Sequence, residues 1–183
     1  TDHLQWARVG CDLYGVDLTK SAINLTRKRL ELYGFKSNLQ IVDAENLPFD
    51  SNSFDVVYSW GVIHHSEYPD KIIKEIHRIL KPEGIFIGML YGRRSLAVLR
   101  LWIKHALLKG NIFKSFKEII WNHVESLGTK GYTKKEINEI LKDFHKKETK
   151  QLVTESDLRR IPGFLHEFIP NIFGWFIAFK AQK

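Results

Sequence analysis

Short apolar runs alternate with amphipathic helical segments over the first 91 residues, and this alternation constrains the fold more than any other feature of the chain. Asp2–Val9 has helical spacing, and Leu13–Val16 is a brief apolar run closed by Asp17. Thr19 or Ser21 can cap a helix reaching Tyr33, with Ala22, Ile23, Leu25, Leu30 and Leu32 on one side and Gly34 as its stop. Leu39–Val42 and Phe54–Ser59 read as strands. Pro69–Leu80 reads as a helix with Ile72, Ile73, Ile76, Ile79 and Leu80 at helical spacing, and Ile85–Tyr91 as a fourth strand after a turn at Lys81, Pro82, Glu83 and Gly84. Strands that are apolar throughout and separated by helices predict an α/β fold, a mostly parallel sheet covered on both faces.

Beyond Tyr91 the pattern changes. Arg93 to Leu127 is purely helical: Leu96–Leu108 is apolar nearly all round, and Ile112, Phe113, Phe116, Ile119, Ile120, Val124 and Leu127 form one stripe. We read 93–128 as a helical insertion or lid on a single domain spanning 1–183. Thr133–Phe144 is a capped helix with Ile137, Ile140, Leu141 and Phe144 on one face, and Thr149–Thr154 and Phe173–Phe179 close the sheet as a strand pair, the last antiparallel.

With 183 residues and 44% apolar side chains, the chain can bury the core of one domain. Its longest strongly apolar run, Phe173–Phe179, is far short of the roughly 20 residues that cross a bilayer, so a soluble protein is expected, and the low cysteine content suits a cytoplasmic one. A single cysteine, Cys11, excludes an internal disulfide and is expected to be a small buried packing residue. The net charge of +7 is concentrated in residues 104–150, where 11 Lys stand against 6 Asp and Glu, a local +5. Lysines dispersed in this way read as solvated helix faces rather than as a nucleic-acid surface.

Two acidic residues stand where open parallel sheets bind ligands, at the carboxyl ends of strands. Asp17 can accept both hydroxyl hydrogens of a ribose, or can be an ordinary Asp before a helix. Asp43 can accept from an adenine amino group, while Leu47 and Phe49, a few residues on, are expected in the core.

The stretches YGVDLTKSAINLTRKRLELYG, VDAENLPFDSNSFDVVYSWGVIHH and EIHRILKPEGIFIGML, in that order and at that spacing, resemble consecutive blocks of the class I S-adenosylmethionine-dependent methyltransferases, in the branch with the ubiquinone and menaquinone methyltransferases. The similarity covers roughly residues 1–91. It implies a Rossmann-like three-layer sandwich and S-adenosylmethionine as cofactor, with S-adenosylhomocysteine as product. It further implies that Asp17 binds the ribose hydroxyls, Leu18 packs on the adenine, Asp43 and Ala44 meet the adenine edge, and Ser59, Trp60 and Gly61 line the methionine end. The family opens with a strand and a glycine-rich loop. The first ten residues of this chain resemble the family's segment just after that loop, so the first strand is expected to be missing and the natural chain to be longer.

Methyl transfer from a sulfonium needs alignment and exclusion of water, and neither a covalent nucleophile nor a metal is expected. Where the acceptor must lose a proton, His65 and His64, after the third visible strand, are the candidate catalytic bases. Tyr91 and Arg93 are candidate substrate contacts, Arg93 as a clamp on an acidic group, with His105 and His123 in the lid as further polar candidates. The expected acceptor is a small molecule. Two rivals are a nucleic-acid methyltransferase, which this sequence supports only through its charge, and a non-catalytic domain that binds a partner or a membrane surface through Leu96–Leu108.

Overall fold

The computed structural model describes residues 2–183, gathered into two compact units, residues up to Phe49 and Asp50–Lys183. In the first unit, helix α1 (Asp2–Arg8) leads to strand β1 (Tyr14–Asp17), helix α2 (Lys20–Leu32) and strand β2 (Asn38–Ile41). β1 and β2 pair in parallel, Gly15 opposite Leu39 and Asp17 opposite Ile41. The start of α2 is set locally: the Thr19 hydroxyl accepts from the Ala22 N–H, and Gly34 ends the helix at φ 74°, a conformation L side chains rarely adopt. Leu4, Ala7 and Leu30 form the small core, with Leu13, Phe35 and Leu39 against it. The predicted apolar face of α2 is narrower than its periodicity suggests, since only Ile23 and Leu30 are buried while Leu25 is 68% exposed and Leu32 84%. Cys11, expected inside, is exposed just after α1.

The second unit is a four-stranded mixed sheet in the order β3 (Phe54–Trp60), β4 (Leu80–Tyr91), β6 (Phe176–Gln182), β5 (His145–Leu152). β3 and β4 run parallel, and β6 returns antiparallel to both β4 and β5. The predicted turn at residues 81–84 is absorbed into β4: Phe54 faces Leu80 and Val56 faces Ile85, so the intervening residues bulge out with Glu83 at φ 64°. The closing strands lie some three residues away from their predicted positions. β5 starts in the charged run His145–Lys147, which apolar patterning overlooks and which suits an edge strand; Asn171–Phe173 forms a short 3₁₀ turn before β6.

Alternation along β4 fixes two cores. Phe86 meets Phe144 and Phe179 at ring-centroid distances of 5.7 and 5.0 Å, and Phe144 meets His77 of helix α3 (Pro69–Ile79) at 5.0 Å. Ile72, Ile73, Ile76 and Ile79 are all buried along α3, as their spacing predicts. On the opposite face Met89 and Tyr91 pack with Trp175 and with Val98 and Ile120, which belong to helices α4 (Leu96–His105) and α5 (Phe116–His123). The predicted insertion therefore covers the carboxyl end of β4. α5 is shorter than the apolar stripe suggests: the capping box of Ser115 and Glu118 starts it at Phe116, and Phe113 is left 91% exposed. Helix α6 (Lys134–Ile140) begins on a second capping box, Thr133 with Glu136, and α7 (Glu155–Leu158), which apolar spacing does not reveal, on a third, Thr154 with Asp157.

Candidate active site

In the first unit the two acidic residues stand at the same edge, Asp17 ending β1 and Asp43 two residues after β2. One carboxylate oxygen of Asp17 accepts from the Thr19 N–H at 2.8 Å and the Thr19 hydroxyl at 2.7 Å; its other oxygen takes no hydrogen bond among the described residues. Asp43 is built alike, with Oδ1 accepting from the Glu45 N–H at 2.9 Å. Each loop thus holds a carboxylate in place and leaves an oxygen for a donor from outside. Leu18 projects into solvent beside Asp17, Ala44 is half-buried beside Asp43, and Leu47 is buried as expected.

In the second unit Ser59 and Trp60 end β3, and Gly61 comes next at φ 75°. Trp60 stacks on Tyr58 at 5.9 Å and meets Phe176 edge-on at 6.4 Å, so its ring belongs in part to the core. A short 3₁₀ turn, Ile63–His65, then places the two histidines in contrasting surroundings. His64 is fully buried, its ring 3.8 Å from that of Tyr91 at an interplanar angle of 31°, and neither of its nitrogens finds a hydrogen bond among the described residues. Burial, with His65 beside it, pushes its pKa down to about 3, so the imidazole is neutral at any ordinary pH.

His65 is partly exposed and tethered at both nitrogens. Nε2 lies 3.0 Å from Glu125 Oε2; Nδ1 lies 3.1 Å from Thr129 Oγ1 and 3.2 Å from Ser126 Oγ. The Tyr91 hydroxyl donates to the other oxygen of Glu125 at 2.5 Å, and burial together with this carboxylate raises its pKa. Glu125 sits at φ 50°, in the loop after α5. Glu125, Ser126 and Thr129 are the partners sequence reasoning missed. They lie some 60 positions from His65, and the sole sequence signal is that this polar cluster comes after the last apolar residue of α5.

Arg93 is otherwise engaged than as a clamp. Its Nη2 reaches both oxygens of Glu136, at 2.7 and 2.8 Å, and its Nε and Nη2 donate to the Gly131 carbonyl. Burial pushes the Glu136 pKa up, but the guanidinium and the two Thr133 donors outweigh it and hold the carboxyl below its usual range. Arg93→Ala is expected to cost about 1–3 kcal/mol of stability, read as a lower urea midpoint, by leaving this half-buried carboxylate short of its cation. A cleft of about 640 Å³ beside this pair is of ligand size, yet Arg93 is the one predicted site residue on its wall. The remaining lid candidates, His105 and His123, stack on each other at 4.0 Å between α4 and α5.

Comparison with known proteins finds a likeness to methyltransferases over the first half of the chain. A family model described as a methyltransferase domain matches residues 2–88. The bovine mitochondrial 2-methoxy-6-polyprenyl-1,4-benzoquinol methylase is 36% identical over 79 residues, 42% of this chain and 24% of the relative. The human mitochondrial arginine-hydroxylase NDUFAF5 is 42% identical over 60 residues, 33% of this chain and 17% of the relative. The chain thus spans about a quarter or less of the length of these two relatives. Among solved structures, an S-adenosylmethionine-dependent methyltransferase from Methanosarcina mazei superposes with a TM-score of 0.66 over 98% of this chain and 85% of that one, at 21% identity, which shows the Rossmann-like fold.

Proposed function

We propose that this chain, whose residues 2–88 match a methyltransferase domain, is a class I S-adenosylmethionine-dependent methyltransferase that transfers a methyl group to a small-molecule acceptor. One observation carries this reading: Asp17 ends one of two neighbouring parallel strands and Asp43 follows the other by two residues, each fixed through one oxygen with the other oxygen left over among the described residues. That donor-poor, acceptor-rich edge fits a ribose and an adenine amino group, which bring donors of their own. In this reading Asp17 binds the ribose, Asp43 and Ala44 the adenine edge, Leu18 its ring face, and Ser59, Trp60 and Gly61 the methionine end.

The cofactor supplies a methyl group on an already activated sulfonium. What the protein adds is alignment, exclusion of water and, where the acceptor carries a proton, a polar group to receive it. The cluster of His65, Glu125 and Tyr91, under the lid helices at the carboxyl end of β4, suits the acceptor end. The acceptor we favour is apolar over much of its length. Leu107, Leu108, Ile112 and Phe113 leave 45–91% of their surface uncovered beside the basic residues Lys104, Lys109 and Lys114, and one relative is named for a polyprenyl benzoquinol. The name of the hydroxylase relative leaves the chemistry to be decided by the site and not by the family.

Calorimetric titration of S-adenosylhomocysteine tests the cofactor site, with Asp17→Asn as the variant that keeps the bond to Thr19 and replaces the other oxygen by a donor. Micromolar binding by the parent is expected to weaken by about 2–4 kcal/mol, roughly 30- to 1000-fold. Absence of binding by the folded protein, or equal binding by the variant, would remove this reading and leave a partner-binding domain. Labelled methyl transfer to a lipid extract, against RNA and DNA controls, then tests the acceptor class.

A further inference from the structure

We infer that His64, His65 and Glu125 hold one divalent first-row transition-metal ion. Their ligand atoms, one nitrogen from each ring and one carboxylate oxygen, all lie within 4.8 Å of one another. Two imidazoles and a carboxylate with positions left open is the donor set that takes zinc, iron(II) or cobalt(II). Bonds of about 2.0–2.1 Å to a tetrahedral ion would put ligand atoms roughly 3.3 Å apart. His65 Nε2 and Glu125 Oε2, at 3.0 Å, already lie close to that spacing.

Two further observations point to a cation. His64 is a buried side chain with, among the described residues, both nitrogens without a hydrogen-bond partner, an arrangement that leaves polar atoms uncompensated in the core unless something coordinates one of them. The Thr129 hydroxyl donates to the Ser126 carbonyl at 2.8 Å and so can accept from His65 Nδ1, the contact through which a metal-bound imidazole is ordinarily oriented. With the proton on Nδ1, the Nε2 lone pair lies on the side of Glu125 Oε2, 3.0 Å away, where both can face one ion.

The outer contacts match what metal ligands ordinarily have. His65 is oriented through its second nitrogen by Thr129 and Ser126, and the second oxygen of Glu125 is held by the Tyr91 hydroxyl. The site departs from the sequence expectation that no metal is needed, and it stands on these side chains alone, independent of the methyl-transfer reading.

The test uses the protein stripped with a chelator and titrated with zinc by calorimetry and with cobalt(II) by visible spectroscopy and proton NMR. One ion per chain is expected, with micromolar or tighter affinity and paramagnetically shifted signals from two imidazole rings. His65→Ala and Glu125→Gln, both at partly exposed positions and checked for folding by circular dichroism, are expected to weaken binding at least roughly tenfold. His105→Ala and Cys11→Ser are expected to leave it unchanged. No binding at about 100 μM metal, shifted signals from fewer than two rings, or equal affinity in His65→Ala and Glu125→Gln would overturn the inference; equal affinity would place the ion at the His105–His123 pair or at Cys11.

Discussion

Asp157→Ala is expected to lower the stability of the second unit by about 3–5 kcal/mol, against the roughly 5–15 kcal/mol that a domain ordinarily has. Asp157 is fully buried, and its carboxylate accepts four hydrogen bonds: from the Ala97 N–H at 3.1 Å, the Trp175 N–H at 2.7 Å, and the Thr154 N–H and hydroxyl at 2.9 and 3.0 Å. Those donors belong to the first turn of α4, the residue just before β6 and the cap of α7. Arg100 completes the junction by donating to the backbone carbonyls of Ser156 and Asp157. Alanine would leave these donors without an acceptor in a place water does not reach, the costly side of hydrogen-bond energetics. Asp157→Asn retains one acceptor oxygen and is expected to fall between. Urea denaturation monitored by tryptophan fluorescence reads both, and a loss below about 1 kcal/mol in the alanine variant would show that α4 is held by its apolar face alone.

The second large effect is steric. A Cβ built on Gly174 would lie 2.1 Å from the Leu152 carbonyl oxygen and 2.6 Å from the Val153 nitrogen, both backbone atoms that cannot rotate aside. These residues form the crossing where β5 ends and β6 begins, and Leu152 pairs with Phe176 in the ladder just beyond. Gly174→Ala is expected to cost about 2–4 kcal/mol and to lower the melting temperature by roughly 5–15 °C, because the strand pair must separate to admit one methyl group. Gly163→Ala, with nothing within 4 Å, is the matched control and should stay within about 0.5 kcal/mol of the parent. Equal melting temperatures for the two variants would mean that the β5–β6 crossing yields at little cost.

The same contrast between local and distant contacts explains which elements are legible in the sequence. α3 is legible because its isoleucines recur at helical spacing and one face of the helix meets the sheet, so the periodicity itself reflects burial. The starts of α2 and α6 are legible because a cap involves residues three apart. Asp17 and Asp43 stand out because each lies at or just beyond the end of its strand. The periodicity makes α5 too long, since Ile112 and Phe113 continue an apolar stripe that the Ser115 cap interrupts. It displaces β5 because an edge strand tolerates charges that apolar patterning discounts.

By itself, then, the sequence determined the order of the main helices and strands, the caps of α2 and α6, the resemblance to a methyltransferase and the two acidic strand ends, each of which depends chiefly on residues within a few positions of one another. Only the tertiary structure decided that Arg93 pairs with Glu136, that Asp157 ties α4 and α7 to the start of β6, and that Glu125 and Thr129 close on His65 from more than 50 residues away. Such pairs leave no periodic trace, because a single polar contact between distant segments is fixed by how whole elements pack and not by the spacing of residues along any one of them.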